Sequence, residues 1–177
     1  MAAGEILPEA MTVATSTRGG EPSARMVLLR GVDERGFGFF TNYDSQKGRQ
    51  LGENPRAALV IYWPKLARQV RVAGAVVKQS AEESGAYFHT RPLASQLSAW
   101  ASPQSAVIRD RGVLEDAVAA LAAKYEGAAV PLPRNWGGYR VVPQTIEFWL
   151  HRDNRLHDRL RYKRQAKGGW RIERLAP

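Results

Sequence analysis

In the first half of the chain, short runs of aliphatic, β-branched and aromatic residues alternate with turn-forming clusters. Residues 11–17 (MTVATST), 25–32 (RMVLLRGV) and 36–42 (GFGFFTN) read as strands. Arg18-Gly19-Gly20 and Asp33-Glu34-Arg35-Gly36 separate them, which predicts consecutive antiparallel hairpins. Residues 43–54 hold a short helix that Asp44 or Ser45 can cap, and Pro55 ends it. Two more strands follow at 57–63 (AALVIYW) and 69–77 (QVRVAGAVV), around Pro64-Lys65.

The middle of the chain changes period. Residues 80–90 open with Ser80-Ala81-Glu82-Glu83, the pattern of a capping box. Residues 112–127 carry apolar side chains at 114, 117, 118, 121 and 122, one face of a helix. Pro131 and Pro133 stop the chain before Asn135-Trp136-Gly137-Gly138, and the β pattern returns at 139–142, 145–150, 159–164 and 170–175. There is no internal repeat, low-complexity tract or long linker. Residues 1–177 therefore read as one domain of the α+β class, predominantly β: a barrel or strongly bent sheet with helices packed outside.

Composition narrows this only slightly. A hydrophobic content of 44% and a charged content of 24% are those of an ordinary globular chain. No apolar stretch approaches the roughly 20 residues of a membrane-spanning helix. The opening MAAGEILPEAM lacks the basic region and apolar run of a secretory signal. The absence of cysteine excludes disulfides and thiolate-bound metals and predicts a cytoplasmic address. A net charge of +9 suits a partner with negative charge, whether nucleic acid, an anionic membrane or a phosphorylated small molecule. The basic residues are scattered through mixed-sign segments with no recognition helix or RNA-binding aromatic motif, which argues against nucleic acid.

Three segments carry candidate chemistry. Ser45 and Lys47 at a helix start offer backbone N–H groups, a hydroxyl and an ammonium to an anion, although many solvated helices begin in the same way. Arg25 and Arg30 bracket an apolar run that could lie along a flat ring; in a regular strand they point to opposite faces. A buried strand with charged ends fits equally well. The densest polar cluster runs from His151 to Arg159, where Arg155, His157 and Arg159 would share a face if the chain is extended. His89, His151 and His157 lack zinc-site spacing, and there is no dinucleotide fingerprint, Walker loop or nucleophile elbow. The residues alone stop at a barrel-like protein with a plausible phosphate site.

The order of motifs adds more. RMVLLR, FFTNYDSQKGRQL, ARQVRVAG, YFHTRPLASQLSAWASPQS, LPRNWGGYRV, IEFW, RLHDRLRY and WRIERLAP follow one another from about Met11 to Pro177. This series resembles the pyridoxamine 5′-phosphate oxidase family. The resemblance implies a split β-barrel, a homodimer with FMN at the subunit interface, and oxidation of pyridoxamine 5′-phosphate or pyridoxine 5′-phosphate by O2. Matched to the family's motifs, the FMN contacts would be Arg25, Met26, Val27, Leu28, Leu29, Arg30, Phe40, Thr41, Gln46, Lys47, Gln69, Gln104, Ser105, Trp149 and Arg159. Arg30, Tyr87, Arg91 and Ser95 would bind the substrate phosphate, while Arg155 and His157 would hold the pyridine ring as the catalytic pair.

Three positions depart from the family pattern. Arg30 stands where lysine is common, Phe40 lacks a phenol hydroxyl, and Gln46 replaces an arginine. Gln46 also resembles the loop of phenazine-pathway oxidases in the same superfamily, so that activity stands as an alternative, with a non-catalytic flavin or pyridoxal-phosphate carrier as another. Many relatives carry a longer N-terminal segment that helps cover the active site, so the resemblance implies either a shortened lid or a truncated start.

Overall fold

The computed structural model describes residues 4–177; the first three residues of the opening stretch lie outside them. The described strands are β1 (Ala10–Ser16), β2 (Pro22–Leu28), β3 (Val32–Asp33), β4 (Gly36–Asn42), β5 (Arg56–Trp63), β6 (Arg68–Lys78), β7 (Trp136–Leu150), β8 (Asp158–Arg164) and β9 (Trp170–Arg174). The helices are α1 (Gln46–Glu53), α2 (Ala81–Thr90), α3 (Leu93–Ala101) and α4 (Gly112–Lys124). All strand pairs are antiparallel, in the order β2-β1-β5-β6-β7-β4-β3, with β8 and β9 added beside the second half of β7.

This sheet bends back on itself. Just past β2 the chain leaves β1 and meets β4: the Arg30 N–H donates to the Gly38 carbonyl at 2.7 Å, and the Gly38 N–H to the Gly31 carbonyl at 2.9 Å. A Cβ at Gly38 would lie 2.8 Å from the Arg30 oxygen, so this closure requires glycine. Alternate residues of β1, β5 and β6 point into the enclosed core, where Met11, Val13, Phe39, Leu59 and Val141 are fully buried. Each such side chain contributes about 1.5–3 kcal/mol relative to exposure. A second core forms outside the barrel, where Phe88 of α2, Leu97 of α3, Val130 and Trp136 pack together.

Several expectations need correction. The strand read over 25–32 ends at Leu28, because Gly31 takes φ 97° and the chain turns toward β4. The strands read at 139–142 and 145–150 are one strand, β7, despite Pro143. β4 pairs β7 up to Val141 and β8 pairs it from Thr145, so the proline falls where that edge has no ladder partner to miss its N–H. Opposite it, the β6–β7 register shifts between Ala73 and Gly74. Helix α3 was not foreseen as a helix. Among the described residues, no helix is long and apolar enough to cross a membrane.

Candidate active site

A cavity of about 610 Å³ opens between the barrel and helices α2 and α3, a size typical of small-molecule sites. Met26, Val27, Leu28 and Arg30 line one side; Phe40, Thr41 and Lys47 come from β4 and α1; Tyr87, Arg91, Ser95 and Gln104 come from α2, α3 and the loop beyond. Most of the residues expected around flavin and substrate phosphate are thus gathered by one fold feature. Leu29 instead packs against the barrel core.

Local structure explains the placement of Lys47. Ser45 caps α1 through its side chain, which accepts from the Gly48 N–H, so Lys47 falls in the first helical turn and points inward. Its ammonium is buried and donates only to neutral oxygens: Thr41 Oγ1 at 3.0 Å, Gln104 Oε1 at 3.1 Å and Ser45 Oγ at 3.3 Å. Burial, with a smaller contribution from the nearby Arg25 guanidinium, pushes its pKa down to about 8. Arg25 does not line the cavity. It is held beside it by Thr15 Oγ1 at 2.7 Å, Ser23 Oγ at 2.6 Å and Gln46 Oε1 at 3.4 Å.

A second cationic position lies on the α2 side. The capping box expected at Ser80 and Glu83 is present and fixes the start of α2, which carries Tyr87 near its end. Tyr87 stacks on Phe40 with ring centroids 4.0 Å apart, and the Arg91 guanidinium lies 4.8 Å over the Trp136 ring. Burial lowers the pKa of Arg91. Among the described residues, two buried side-chain polar atoms lack a hydrogen-bond partner: Arg91 Nη1 and Asn42 Nδ2. Both residues line this cavity, and no carboxylate does. Unpaired buried donors carry a desolvation penalty that a bound anion with acceptor oxygens would relieve. The donor set therefore fits phosphate esters such as FMN.

The remaining expected residues lie elsewhere in the protomer. Gln69 faces Trp149 across β6 and β7, and Trp149 faces Arg159 across β7 and β8. Arg159 donates to Glu147 at 2.8 Å and to the Ala176 carbonyl at 2.9 Å. His157 sits 4.7 Å from the Trp149 ring centroid, and its Nδ1 accepts from the Arg152 N–H, so the neutral ring carries its proton on Nε2. The expected shared face of Arg155, His157 and Arg159 does not form. Residues 153–155 make a tight turn with Asn154 and Arg155 at φ 56° and 63°, and β8 begins only at Asp158. Ser105, at φ 72°, lies in the loop after α3 and does not line the cavity. From Gly138, opposite Phe40, to Trp149 the strand covers roughly 36 Å of contour at its usual rise. The pocket at His157 shares no residue with the large cavity.

Comparison with known proteins decides the family. The profile described as "Pyridoxamine 5'-phosphate oxidase" matches residues 4–125, and "Pyridoxine 5'-phosphate oxidase C-terminal dimerisation region" matches 136–177. The chain belongs to the pyridoxamine 5′-phosphate oxidase family. A relative named pyridoxine/pyridoxamine 5′-phosphate oxidase from Gloeothece citriformis is 59% identical over 170 residues, covering 96% of this chain and 79% of the relative. One of the same name from Burkholderia thailandensis is 57% identical over 172 residues, covering 96% and 80%. Among solved structures, PhzG from Burkholderia lata, in complex with tetrahydrophenazine-1-carboxylic acid, superposes with a TM-score of 0.94 at 34% identity, covering 99% of this chain and 86% of that one. A pyridoxamine 5′-phosphate oxidase-related, FMN-binding protein from Nostoc punctiforme shares the fold with a TM-score of 0.77 at 20% identity, covering 97% and 89%. The family's FMN-binding split barrel is thus the architecture observed here.

Sequence reasoning missed Asn42, Trp136, Ser98, Ala99 and Ser102 as cavity residues of this family member. A signal for three of them was present. Ser95, Ser98, Ala99 and Ser102 follow the i, i+3, i+4, i+7 spacing of one helix face, but Pro92 offers no side-chain cap to announce α3.

Proposed function

We propose that the protein is an FMN-dependent oxidase that converts pyridoxamine 5′-phosphate or pyridoxine 5′-phosphate to pyridoxal 5′-phosphate, with O2 as acceptor and H2O2 as product. The observation that carries this reading is a cavity lined by three cationic side chains and no acid: Arg30 is paired with Glu9 at 3.6 Å, while Lys47 and Arg91 have no acid partner among the described residues. Two anionic groups are needed to satisfy it, and FMN and a phosphorylated vitamer supply one each.

In this reading Lys47 and Arg25 hold the FMN phosphate, with Gln46 beside them and Thr41 and Gln104 orienting the ammonium. Met26, Val27, Leu28 and Phe40 give the ring system apolar walls. Arg30, Tyr87, Arg91 and Ser95 hold the substrate phosphate. When bound, FMN supplies the two-electron acceptor and passes the electrons on to O2. The protein has only to orient two rings, exclude water and compensate charge.

Arg155 and His157 complete the site from a second copy of the chain, together with Gln69, Ser105, Trp149 and Arg159. Two observations support this: the cavity and the His157 cluster share no lining residue, and the C-terminal region matches a family segment described as a dimerisation region. His157 presents an Nε2–H toward the substrate ring, and Arg155 helps hold that ring and stabilises charge developing in the reaction. A single folded unit of residues 1–177, acting as a homodimer in the cytoplasm, suits this arrangement.

A phenazine-type oxidase is the second reading, supported by the close superposition on PhzG. The relatives named pyridoxine/pyridoxamine 5′-phosphate oxidase are more similar in sequence, and Tyr87, Arg91 and Ser95 line one cavity as hydrogen-bond donors. Aerobic turnover of pyridoxamine 5′-phosphate, followed through pyridoxal 5′-phosphate and H2O2 together, separates the two. Equal, FMN-dependent formation of both products is expected; bound flavin without either product would favour the phenazine-type reading.

A further inference from the structure

Arg25 is a half-buried guanidinium with no carboxylate partner among the described residues. Its shortest contacts are to a pair of hydroxyls, Thr15 on β1 and Ser23 on β2, with longer ones to the Ser23 and Val13 carbonyls at 3.3 and 3.4 Å and to Gln46 Oε1 at 3.4 Å. Each hydroxyl has one proton, and each proton is already assigned. Thr15 Oγ1 donates to Gln50 Oε1 at 2.5 Å, and Ser23 Oγ donates to the same oxygen at 2.7 Å. Their lone pairs are thereby left for Arg25, whose Nη1 donates to Thr15 and Nη2 to Ser23. With Oε1 in that place both hydroxyl protons have an acceptor; with Nε2 there each hydroxyl would accept from both Gln50 and Arg25, and its proton would need an acceptor elsewhere.

Gln50 lies one helical turn beyond Gln46 on α1 and is itself buried. It makes no contact with the cavity. Substitution of a carboxylate at this place would tie Arg25 into an ion pair; the neutral amide fixes the guanidinium while leaving its charge uncompensated.

We propose that Gln50 is a positioning residue for the FMN phosphate site: its amide oxygen captures the Thr15 and Ser23 hydroxyl protons, and so aims Arg25 at the anion without neutralising it. This rests on the proposed FMN site.

The test compares FMN with riboflavin, which has the same ring and ribityl chain but no phosphate. Dissociation constants for both are measured by flavin fluorescence quenching on the flavin-free wild type, Gln50→Met, Ser23→Ala and the double variant, with thermal melting of each flavin-free protein alongside. Gln50→Met is expected to weaken FMN about tenfold and riboflavin less than about twofold, the loss of one charge-assisted contact. Ser23→Ala should show the same phosphate-selective loss, and the double variant should lose less than the sum of the singles. Should Gln50→Met fail to fold, Ser23→Ala carries the test alone. Equal losses for the two flavins, or none, would overturn the role of Gln50 while leaving the oxidase reading intact. A wild-type protein that binds neither flavin would overturn both.

Discussion

The cavity beside α2 and the turn after β7 are both rich in arginine, yet they treat charge in opposite ways. In the cavity, Lys47 is buried and Arg91 half-buried against neutral groups, Arg25 lies next to Lys47, and no acid lines the space, although Arg30 reaches Glu9 at 3.6 Å. Around the turn, neighbouring arginines are paired: Arg152 and Arg174 with Asp158, and Arg159 with Glu147. Only Arg155 is left without an ion pair among the described residues of that turn, held at φ 63° in an exposed position. In the proposed reading the cavity binds anions, and among the described residues Lys47 and Arg91 find no carboxylate partner there. The turn, in the same proposed reading, is a scaffold of ion-paired arginines that offers Arg155 and His157 to the site of a second copy. Substitutions should therefore separate binding from turnover cleanly.

The largest effect is expected at the turn. Arg155→Ala should lower kcat by roughly a hundredfold or more, as for loss of a group that meets developing charge. Because Arg155 has no intramolecular partner to strand, FMN affinity and melting midpoint should stay near wild type. Unchanged turnover would remove Arg155 from the mechanism. Next in size is Arg91→Met, which should raise KM for pyridoxamine 5′-phosphate about thirtyfold through loss of a charged phosphate contact, with FMN affinity unaltered. A fall in kcat at constant KM would instead place Arg91 with the chemistry.

The depressed pKa of Lys47 gives a pH dependence with a definite sign. A bound phosphate favours the ammonium, so FMN affinity should be constant below pH 8 and decline above about 8, by up to about tenfold per unit. Lys47→Gln should bind FMN weakly at every pH and remove this decline. In the flavin-free protein the sign reverses. Between pH 8 and 10.5 the unfolded chain keeps a proton that the folded one has lost, so stability should rise with pH across that window. The smallest effect is expected from Asp158→Asn. It loosens Arg152 and Arg174 in an exposed pair network, and should lower the melting midpoint by less than about 4 °C while leaving KM unchanged.

Much of this contrast was legible in the residues and some was not. Local signals read well: the Ser45 cap, the Ser80–Glu83 capping box and the apolar runs of β1 and β4 depend only on neighbours in sequence. The motif series named most of the residues that line the cavity because β4, α1 and α2 bring contiguous segments to one face. Features set by tertiary pairing did not read. Pro143 looked like a break because nothing local shows that β7 changes partner there. The turn at 153–155 looked extended because no glycine announced its two left-handed residues. The hold of Gln50 on Arg25 involves β1, β2 and α1 at once, and its members are ordinary polar residues when read singly.

The proposal that the oxidase site is built from two copies can be tested by mixing two impaired variants, assayed at pyridoxamine 5′-phosphate near the wild-type KM and far below that of Arg91→Met, where each alone turns over slowly. Arg91→Met supplies a defective cavity with an intact turn, and Arg155→Ala the reverse. Co-refolded or co-expressed in equal amounts, they should form hybrid dimers in which one of the two sites is wholly intact. Pyridoxamine 5′-phosphate oxidation should then recover to about a quarter of wild type, the share expected from random pairing in a twofold dimer. Activity no higher than the mean of the separate variants, despite hybrid formation, would show that cavity and turn act within one chain and would contradict the account.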